Sequence, residues 1–216
     1  RSDDEKTLAE WCVKLTVLGC SGPVPRPGQA CCGYLLEQGG KRVLLDCGSG
    51  VVSSLQKHVD YRSVDAVVIS HMHADHCFDL VAYRTALYLD YRGRSSRLPL
   101  FVPPGGTQSL ATIGQLIGHS ENYFEWAFLI EEYDPDRPLL FDGLRIGFAQ
   151  TFHGVPTFAM RIGGDATLCY SADSGVCEEL EELARGADLF LCDATFQQGT
   201  TFPNRQHLKA SEAGEL

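Results

Sequence analysis

Four potential metal ligands fall within six residues in the segment His71-Met-His-Ala-Asp-His76. The segment directly follows residues 66–70 (AVVIS), which have the pattern of a short buried strand. A loop that turns at the end of a strand can point several side chains into one cavity. Imidazole and carboxylate are good ligands for zinc and other borderline divalent ions. The cluster offers nitrogen and oxygen donors, which favours a site with exchangeable water over a closed structural zinc site. The alternative is a chance cluster of surface histidines.

Two further candidate ligands occur downstream. His153 lies between two predicted strands, and Asp173 directly follows a third. A lone histidine is more often a core or surface residue, and Asp173 could instead cap a helix predicted to begin at Val176. Their positions at strand ends favour the ligand interpretation for both. Asp46 also ends a predicted strand, and we interpret it as a carboxylate that orients the ligand loop without binding metal.

The elements that must position these residues alternate between short apolar runs and helical patterns. The pattern predicts strands at residues 13–18, 34–37, 43–46, 66–70, 100–102, 144–149, 158–162, 168–171 and 189–192. It predicts helices at residues 50–59, 79–91 and 176–184. It also predicts a helix directly after Pro103-Pro-Gly-Gly106 and one from residue 210 onward. We therefore expect an α/β fold with two sheets and helices outside them, a four-layer αββα sandwich, formed by all 216 residues as a single domain.

Composition restricts the partners and the compartment. No apolar run reaches the roughly 18 to 20 residues that cross a bilayer, and residues 1–11 lack the pattern of a signal peptide, so we expect a cytoplasmic protein without a membrane partner. The nine cysteines include no C-x-x-C pair, which indicates reduced thiols. The formal net charge of −10 gives no general attraction to phosphates, so extended nucleic acid is an unfavourable partner.

The histidine motif, H-x-H-x-D-H, is where the sequence resembles the metallo-β-lactamase superfamily. The most similar branch contains the ribonuclease Z-like phosphodiesterases, especially the short bacterial members similar to cyclic-nucleotide phosphodiesterases. The resemblance extends from Val13 to Leu216. Besides the motif it is carried by Leu15-Thr-Val-Leu-Gly19, Leu44-Leu-Asp-Cys-Gly48, Thr151-Phe-His153, Tyr170-Ser-Ala-Asp173, Asp193-Ala-Thr-Phe196 and His207-Leu-Lys-Ala210.

The resemblance implies two divalent metal ions, with zinc expected and manganese or iron as alternatives. The ions would activate water for attack on a phosphorus or carbonyl centre, and Asp75 would contribute to this catalysis. The implied ligands are His71, His73 and His153 for the first ion, Asp75 and His76 for the second, and Asp173 as a bridge between both.

The resemblance further implies a catalytic pair. His207 would stabilise the phosphate or protonate the leaving alkoxide, and Asp193 would orient it. Related ribonuclease Z sequences have Glu at the position of Asp193 and His before it, where this chain has Cys192. His207 could otherwise be a surface residue before a helix. His58 and His119 lack such context, and we interpret them as surface residues.

Two departures from the family pattern bear on function. The family supplies another histidine ligand from a segment beyond His207, whereas this sequence stops at Leu216. We therefore expect a C-terminal truncation, a complete first metal site and a weakened second one.

Ribonuclease Z proper also has, between the positions of His153 and Asp173, a long arm that grips transfer RNA. Only a short strand pair fits between these positions here. The arginines within residues 84–97 could help bind a smaller phosphodiester.

The favoured function is hydrolysis of a phosphodiester, with cyclic or short nucleotides as substrates. The same ligands serve many reactions, so several alternatives stay open. These are hydrolysis of a lactone, thioester or β-lactam, ribonuclease Z-type RNA processing, iron-dependent redox chemistry, and a non-catalytic, metal-stabilised binding module. The resemblance also allows a homodimer, because dimers are common in the family.

Overall fold

The computed structural model describes residues 13–90, 96–164, 166–199, 201 and 205–216. The chain divides into two compact units, residues 1–133 and residues 134–216, and each unit is built on one β-sheet. Within the described ranges, no helix combines the length and the hydropathy needed to cross a bilayer. The single-domain expectation stays a prediction.

The first unit combines one mixed six-stranded sheet with four α-helices in its described part. The strands are β1 (Lys14–Gly19), β2 (Gly33–Gln38), β3 (Lys41–Leu45), β4 (Ala66–Val68), β5 (Leu98–Val102) and β6 (Phe128–Glu132). The helices are α1 (Val51–Leu55), α2 (Ala74–Cys77), α3 (Asp79–Leu89) and α4 (Gly106–Gly118), with 3₁₀ turns at Tyr61–Ser63 and Phe124–Trp126. The strand order is β1-β2-β3-β4-β5-β6. Strands β1 to β3 are antiparallel, and β3 to β6 are parallel.

The parallel pairing of β3 with β4 brings two chain segments together at one edge of the sheet. The turn between β2 and β3 has positive φ at Gly39 and Gly40, as a tight hairpin requires. All three residues of β4 are buried, which is typical of a parallel strand covered on both faces. Because β3 and β4 run in the same direction, Asp46 follows one strand beside the end of the other, and its N–H donates to the Val68 carbonyl at 2.9 Å.

The second unit contains a five-stranded sheet and two α-helices in its described part. The strands are β7 (Leu139–Phe141), β8 (Leu144–Gln150), β9 (Phe158–Gly163), β10 (Leu168–Tyr170) and β11 (Leu189–Leu191), and the helices are α5 (Glu178–Ala184) and α6 (Ala210–Ala213). The strand order is β11-β10-β9-β8-β7. The pairs are antiparallel except for the parallel pair β10 and β11, which α5 connects.

The side chain of Arg161 caps the C-terminal end of α5 by donating hydrogen bonds to its carbonyls. Arg161 Nη1 donates to the carbonyls of Leu183 at 2.6 Å and Arg185 at 3.0 Å, and Nη2 donates to that of Gly186 at 3.4 Å. Gly186 has φ +65°, so the chain leaves the helix in the left-handed conformation. The Arg161 donors therefore satisfy carbonyls at the helix end that lack a partner within the helix.

The sequence predicted most elements but not all of their limits. The predicted helix at residues 50–59 ends at Leu55, and the chain then forms turns. The helix at residues 79–91 extends to Leu89, and Tyr91 lies outside the described residues. Helix α5 begins at Glu178 and not at Val176, because the intervening residue has extended backbone. Strands β6 and β7 were not predicted.

The described cysteines agree with the prediction of reduced core thiols. The eight described cysteines form no disulfide with one another, and Cys12 lies outside the described residues. Burial raises the pKa of Cys77 and of Cys169 to about 12. These thiols therefore stay protonated near neutral pH and pack as small apolar groups.

Removing the donors at the end of α5 is expected to weaken the second unit. We expect Arg161→Met to lower the free energy of unfolding by about 1–2 kcal/mol, because three carbonyls lose a charged donor. Urea denaturation measures the change. Arg145→Met on the neighbouring strand is the control, since that side chain is exposed, and it should stay within about 0.5 kcal/mol of the wild type. Equal effects of both substitutions would contradict the assignment.

Candidate metal-binding clusters

The first unit brings together the four predicted ligands of the histidine loop, residues 71–76. His71 and His76 are fully buried, whereas His73 and Asp75 are partly accessible. Nε2 of His71 lies 3.1 Å from Nδ1 of His73, and Nε2 of His76 lies 3.7 Å from Oδ2 of Asp75. Two nitrogens bound to one tetrahedral zinc ion are about 3.4 Å apart. The spacing of the first pair therefore fits two ligands of a common ion.

The buried carboxylate of Asp46 holds the histidine loop. Its Oδ1 accepts from the Ser70 N–H at 2.7 Å. Its Oδ2 lies 2.8 Å from Ser70 Oγ and 2.7 Å from His76 Nδ1. Asp46 also has φ +58°, a costly conformation for a residue with a side chain. These hydrogen bonds agree with the interpretation of Asp46 as the group that orients the loop.

The same hydrogen bonds assign the tautomers of two rings. Because an ionised Asp46 only accepts, Ser70 donates its hydroxyl proton to it, and Ser70 Oγ is left to accept from His71 Nδ1 at 3.0 Å. His76 donates its own Nδ1 proton to Asp46. Both rings therefore keep the lone pair on Nε2, which is the form that a metal ligand needs.

Gly48 lets the histidine loop pack directly against the chain that follows β3. A Cβ atom at this position would lie 1.8 Å from the carbonyl oxygen of Asp75. In addition, the Cys32 N–H donates to that carbonyl at 3.2 Å, and the Cys47 N–H donates to the carbonyl of His76 at 2.7 Å. The peptides that carry Asp75 and His76 are thus fixed by neighbouring backbone.

The second unit brings together the other predicted site residues. Nε2 of His153 lies 3.8 Å from Oδ2 of Asp173. Nδ1 of His207 lies 2.8 Å from Oδ2 of Asp193 and 4.0 Å from Oδ2 of Asp173. Thr151 Oγ1 donates to the Asp173 carbonyl at 2.8 Å, which ties the two ligand-bearing turns together. Asp173, Asp193 and His207 each offer an atom within 4.8 Å of the others.

His153 and Asp173 have the geometry of two ligands to one ion. Nδ1 of His153 lies 3.1 Å from the carbonyl oxygen of Gln206. A carbonyl only accepts, so the proton sits on Nδ1 and the lone pair on Nε2 faces Asp173. The separation of 3.8 Å is within the roughly 4 Å that two donors on one zinc ion can span. The alternative role of Asp173 as a helix cap is wrong, because Cys177 occupies the cap position of α5.

Asp193 is held as an acceptor for His207. Its Oδ1 accepts from the N–H of Thr195 at 2.9 Å and from its hydroxyl at 2.6 Å, and its Oδ2 accepts from the Ser174 N–H at 3.3 Å. The carboxylate is 3% exposed, so these donors replace water. His207 therefore carries a proton on Nδ1, and its Nε2 is the nitrogen that can exchange a proton with a ligand.

Arg84, the first residue of the predicted arginine region, packs against the protein. Its Nε donates to the Tyr123 carbonyl at 2.9 Å, and its guanidinium lies over the rings of Tyr88 and Tyr123. This packing gives Arg84 a structural role, and its contribution to binding a phosphodiester stays a prediction. Arg92 and Arg94 lie outside the described residues.

Several residues that hold the ligands were not predicted from the sequence. The position of Ser70 directly before His71, at the strand end, was the one feature that could have indicated its role. The contact of Gln206 uses its backbone carbonyl, which no residue type reveals. His58 and His119 are exposed, as predicted.

Comparisons with known proteins identify relatives of this chain. The β-lactamase superfamily domain matches residues 41–216. An uncharacterised protein of Mycobacterium tuberculosis is 35% identical over 205 residues, covering 94% of this chain and 75% of that protein. The probable metallo-hydrolase YhfI of Bacillus subtilis is 31% identical over 214 residues, covering 94% of this chain and 81% of that protein. Ribonuclease Z of Mycobacterium bovis is 30% identical over 190 residues, covering 82% of this chain and 68% of that protein.

The crystal structure of YhfI, a metallo-β-lactamase fold protein, superimposes on this chain with a TM-score of 0.83 and 29% identity. The match covers 94% of this chain and 80% of that one. The predicted α/β fold class is therefore confirmed.

Replacing Asp46 by Asn is expected to weaken zinc binding about 10- to 100-fold, because the amide replaces one of the two acceptor oxygens by an NH₂ group that faces a donor of Ser70 or His76. Competition with a chromophoric chelator measures the affinity. Asp65→Asn is the control, since Asp65 also accepts from a backbone N–H, that of Arg42 at 2.8 Å. A folded Asp46→Asn protein with wild-type zinc affinity would argue against this role.

Gly48→Ala is expected to displace the histidine loop, because its Cβ would overlap the Asp75 carbonyl. We expect a thermal unfolding midpoint several degrees lower, as for a loss of about 2 kcal/mol, together with weaker zinc binding. Gly22→Ala is the control, because a Cβ there meets nothing within 4 Å. Identical midpoints for the two variants would refute the packing argument.

Proposed function

Because the chain belongs to the metallo-β-lactamase superfamily, we propose that it is a metal-dependent hydrolase, specifically a phosphodiesterase for cyclic or short nucleotides. The observation that carries the proposal is the pair of His207 and Asp193 beside the candidate ligand Asp173. Nδ1 of His207 lies 2.8 Å from Asp193 and 4.0 Å from Asp173. An imidazole ring so close to a candidate ligand, with Nδ1 held by Asp193, can use its other nitrogen to protonate a departing alkoxide.

Two divalent ions, with zinc as the expected metal and manganese or iron as alternatives, would bind to the donors of both clusters. The lone pairs assigned to Nε2 of His71, His76 and His153 support this, because they leave nitrogen donors in the form that binds a cation. Bound ions would lower the pKa of water and stabilise negative charge on the phosphoryl group. The proposed ligands are His71, His73 and His153 for one ion, Asp75 and His76 for the other, and Asp173 for both.

His207 would act as the general acid. Its Nδ1–H stays hydrogen-bonded to Asp193, and the proton that it gives up comes from Nε2. The Asp193 carboxylate stabilises the charged ring before transfer, and it fixes which nitrogen faces the substrate. The leaving ribose oxygen takes this proton and departs as an alcohol, which avoids release of a strongly basic alkoxide.

The proposed substrate is small. The described residues between His153 and Asp173 form β9, β10 and short connections, and this segment of the sequence is too short for a long RNA-binding arm. The net charge of −10 also disfavours an extended polyanion. RNA processing is the second candidate, because ribonuclease Z is among the relatives. Free cysteines support a reducing compartment such as the cytoplasm, and a homodimer stays an expectation.

A substrate panel tests the proposal. The protein is loaded with zinc or manganese and assayed with cyclic AMP, a p-nitrophenyl phosphodiester, a lactone, a thioester and precursor transfer RNA. We expect turnover of the phosphodiesters that falls at least about 100-fold in His73→Ala, which loses a metal ligand, and stays unchanged in His58→Ala, an exposed control. Metal-loaded protein that cleaves the lactone or thioester but no phosphodiester would refute the proposal, and cleavage of precursor transfer RNA alone would favour the second candidate.

A further inference from the structure

Arg205 and Glu212 form a bidentate ion pair next to the segment that carries His207. Arg205 Nη1 donates to Glu212 Oε2 at 2.8 Å, and Nη2 donates to Oε1. The two side chains are only 18% and 22% exposed. Two parallel charged hydrogen bonds fix the orientation of both groups as well as their separation.

This pair contacts the backbone directly after the His207 side chain. Nη1 of Arg205 also donates to the His207 carbonyl at 3.2 Å. Oε2 of Glu212 accepts from the N–H of Lys209 at 2.8 Å. Lys209 is the N-cap residue of α6 and Glu212 is the third residue after it, so this contact is one half of a capping box. The ion pair therefore connects the start of α6 to the peptide of His207.

Other contacts tie the same segment to the partner of His207. The Phe196 N–H donates to the Leu208 carbonyl at 3.1 Å, and the Ala210 N–H donates to the Phe196 carbonyl at 3.1 Å. Leu208 is fully buried. Phe196 lies three residues after Asp193, and Leu208 directly follows His207. These hydrogen bonds therefore form a backbone bridge between the segment that carries Asp193 and the segment that carries His207. The ion pair then sets where the His207 peptide lies relative to that bridge.

We propose that Arg205 and Glu212 are positioning residues: they hold His207 in its hydrogen bond to Asp193 and so make it an effective acid toward a basic leaving group. The inference rests on the proposed function for its catalytic consequence. The hydrogen bond itself can be measured without substrate. Neither residue of the ion pair needs to contact the substrate for this role.

The ion pair persists throughout the range in which a histidine titrates. The hydrogen bond from Arg205, more than any other contact, lowers the pKa of Glu212 from 4.5 to about 2. Since the folded pKa is depressed, the contribution of Glu212 to stability is present above pH 4.5 and is lost as the pH falls through about 2. Changes of activity near neutral pH therefore do not come from loss of the ion pair.

Two substrates with different leaving groups test the proposal. One releases a ribose alkoxide and needs protonation, whereas the other releases p-nitrophenolate and does not. We expect Arg205→Met and Glu212→Gln to lower kcat for the first about 10- to 100-fold, and to change kcat for the second less than about threefold. His207→Ala should show the same selective loss. Glu212→Gln keeps an acceptor for the Lys209 N–H, which guards against loss of α6.

Nuclear magnetic resonance of the imidazole groups gives an independent readout. We expect a slowly exchanging Nδ1 proton of His207 in the wild type that exchanges faster in both variants. Arg62→Met is the matched control, because Arg62 also forms a bidentate ion pair, with Asp60 in the first unit. It should leave the leaving-group preference and the His207 proton unchanged.

Equal losses on both substrates, with the His207 proton still slowly exchanging in the variants, would overturn the positioning role. If the wild type lacks phosphodiesterase activity, the proposed function fails, and the exchange of the His207 proton still decides whether the ion pair positions the ring.

Discussion

The buried carboxylate of Asp46 joins the sheet of the first unit to its histidine loop, and the candidate chemistry of that unit depends on it. Burying a charge is costly unless donors replace the lost water. Here Ser70 supplies two donors and His76 a third. The parallel pairing of β3 and β4 makes this possible, because it places Asp46 beside the chain that leaves β4. The left-handed backbone of Asp46 is a local cost that these hydrogen bonds offset.

A common arrangement recurs across the two units. Four histidine rings each have an acceptor at Nδ1: Ser70 Oγ for His71, Asp46 for His76, the Gln206 carbonyl for His153 and Asp193 for His207. Each acceptor fixes the proton on Nδ1 and leaves Nε2 for other chemistry. The acceptors differ in charge, and a carboxylate makes its ring more basic than a neutral oxygen does. His207, with a carboxylate partner, is accordingly better suited to proton transfer than His153.

The sequence predicted the parts of the fold and site that depend on residue type and periodicity. Strands β1 to β5 and β8 to β11 follow apolar runs, and the histidine motif directly follows one of them. Strand β6 was missed because only one of its five residues is buried and two are exposed glutamates, so it lacks the pattern of a core strand. Strand β7 has three residues and no alternation. Backbone contacts, such as the Gln206 carbonyl on His153 and the Asp75 carbonyl on Gly48, depend on tertiary packing that residue types do not encode.

The central claim is that the histidine loop of the first unit and the pair of His153 and Asp173 in the second unit bind metal. Anomalous X-ray diffraction at the zinc absorption edge, from crystals grown with zinc, tests it most directly. The account predicts anomalous peaks ligated by Nε2 of His71, His76 and His153 and by the carboxylate of Asp173. Zinc bound only elsewhere on the chain, or peaks ligated by His71 or His76 through Nδ1, would contradict it.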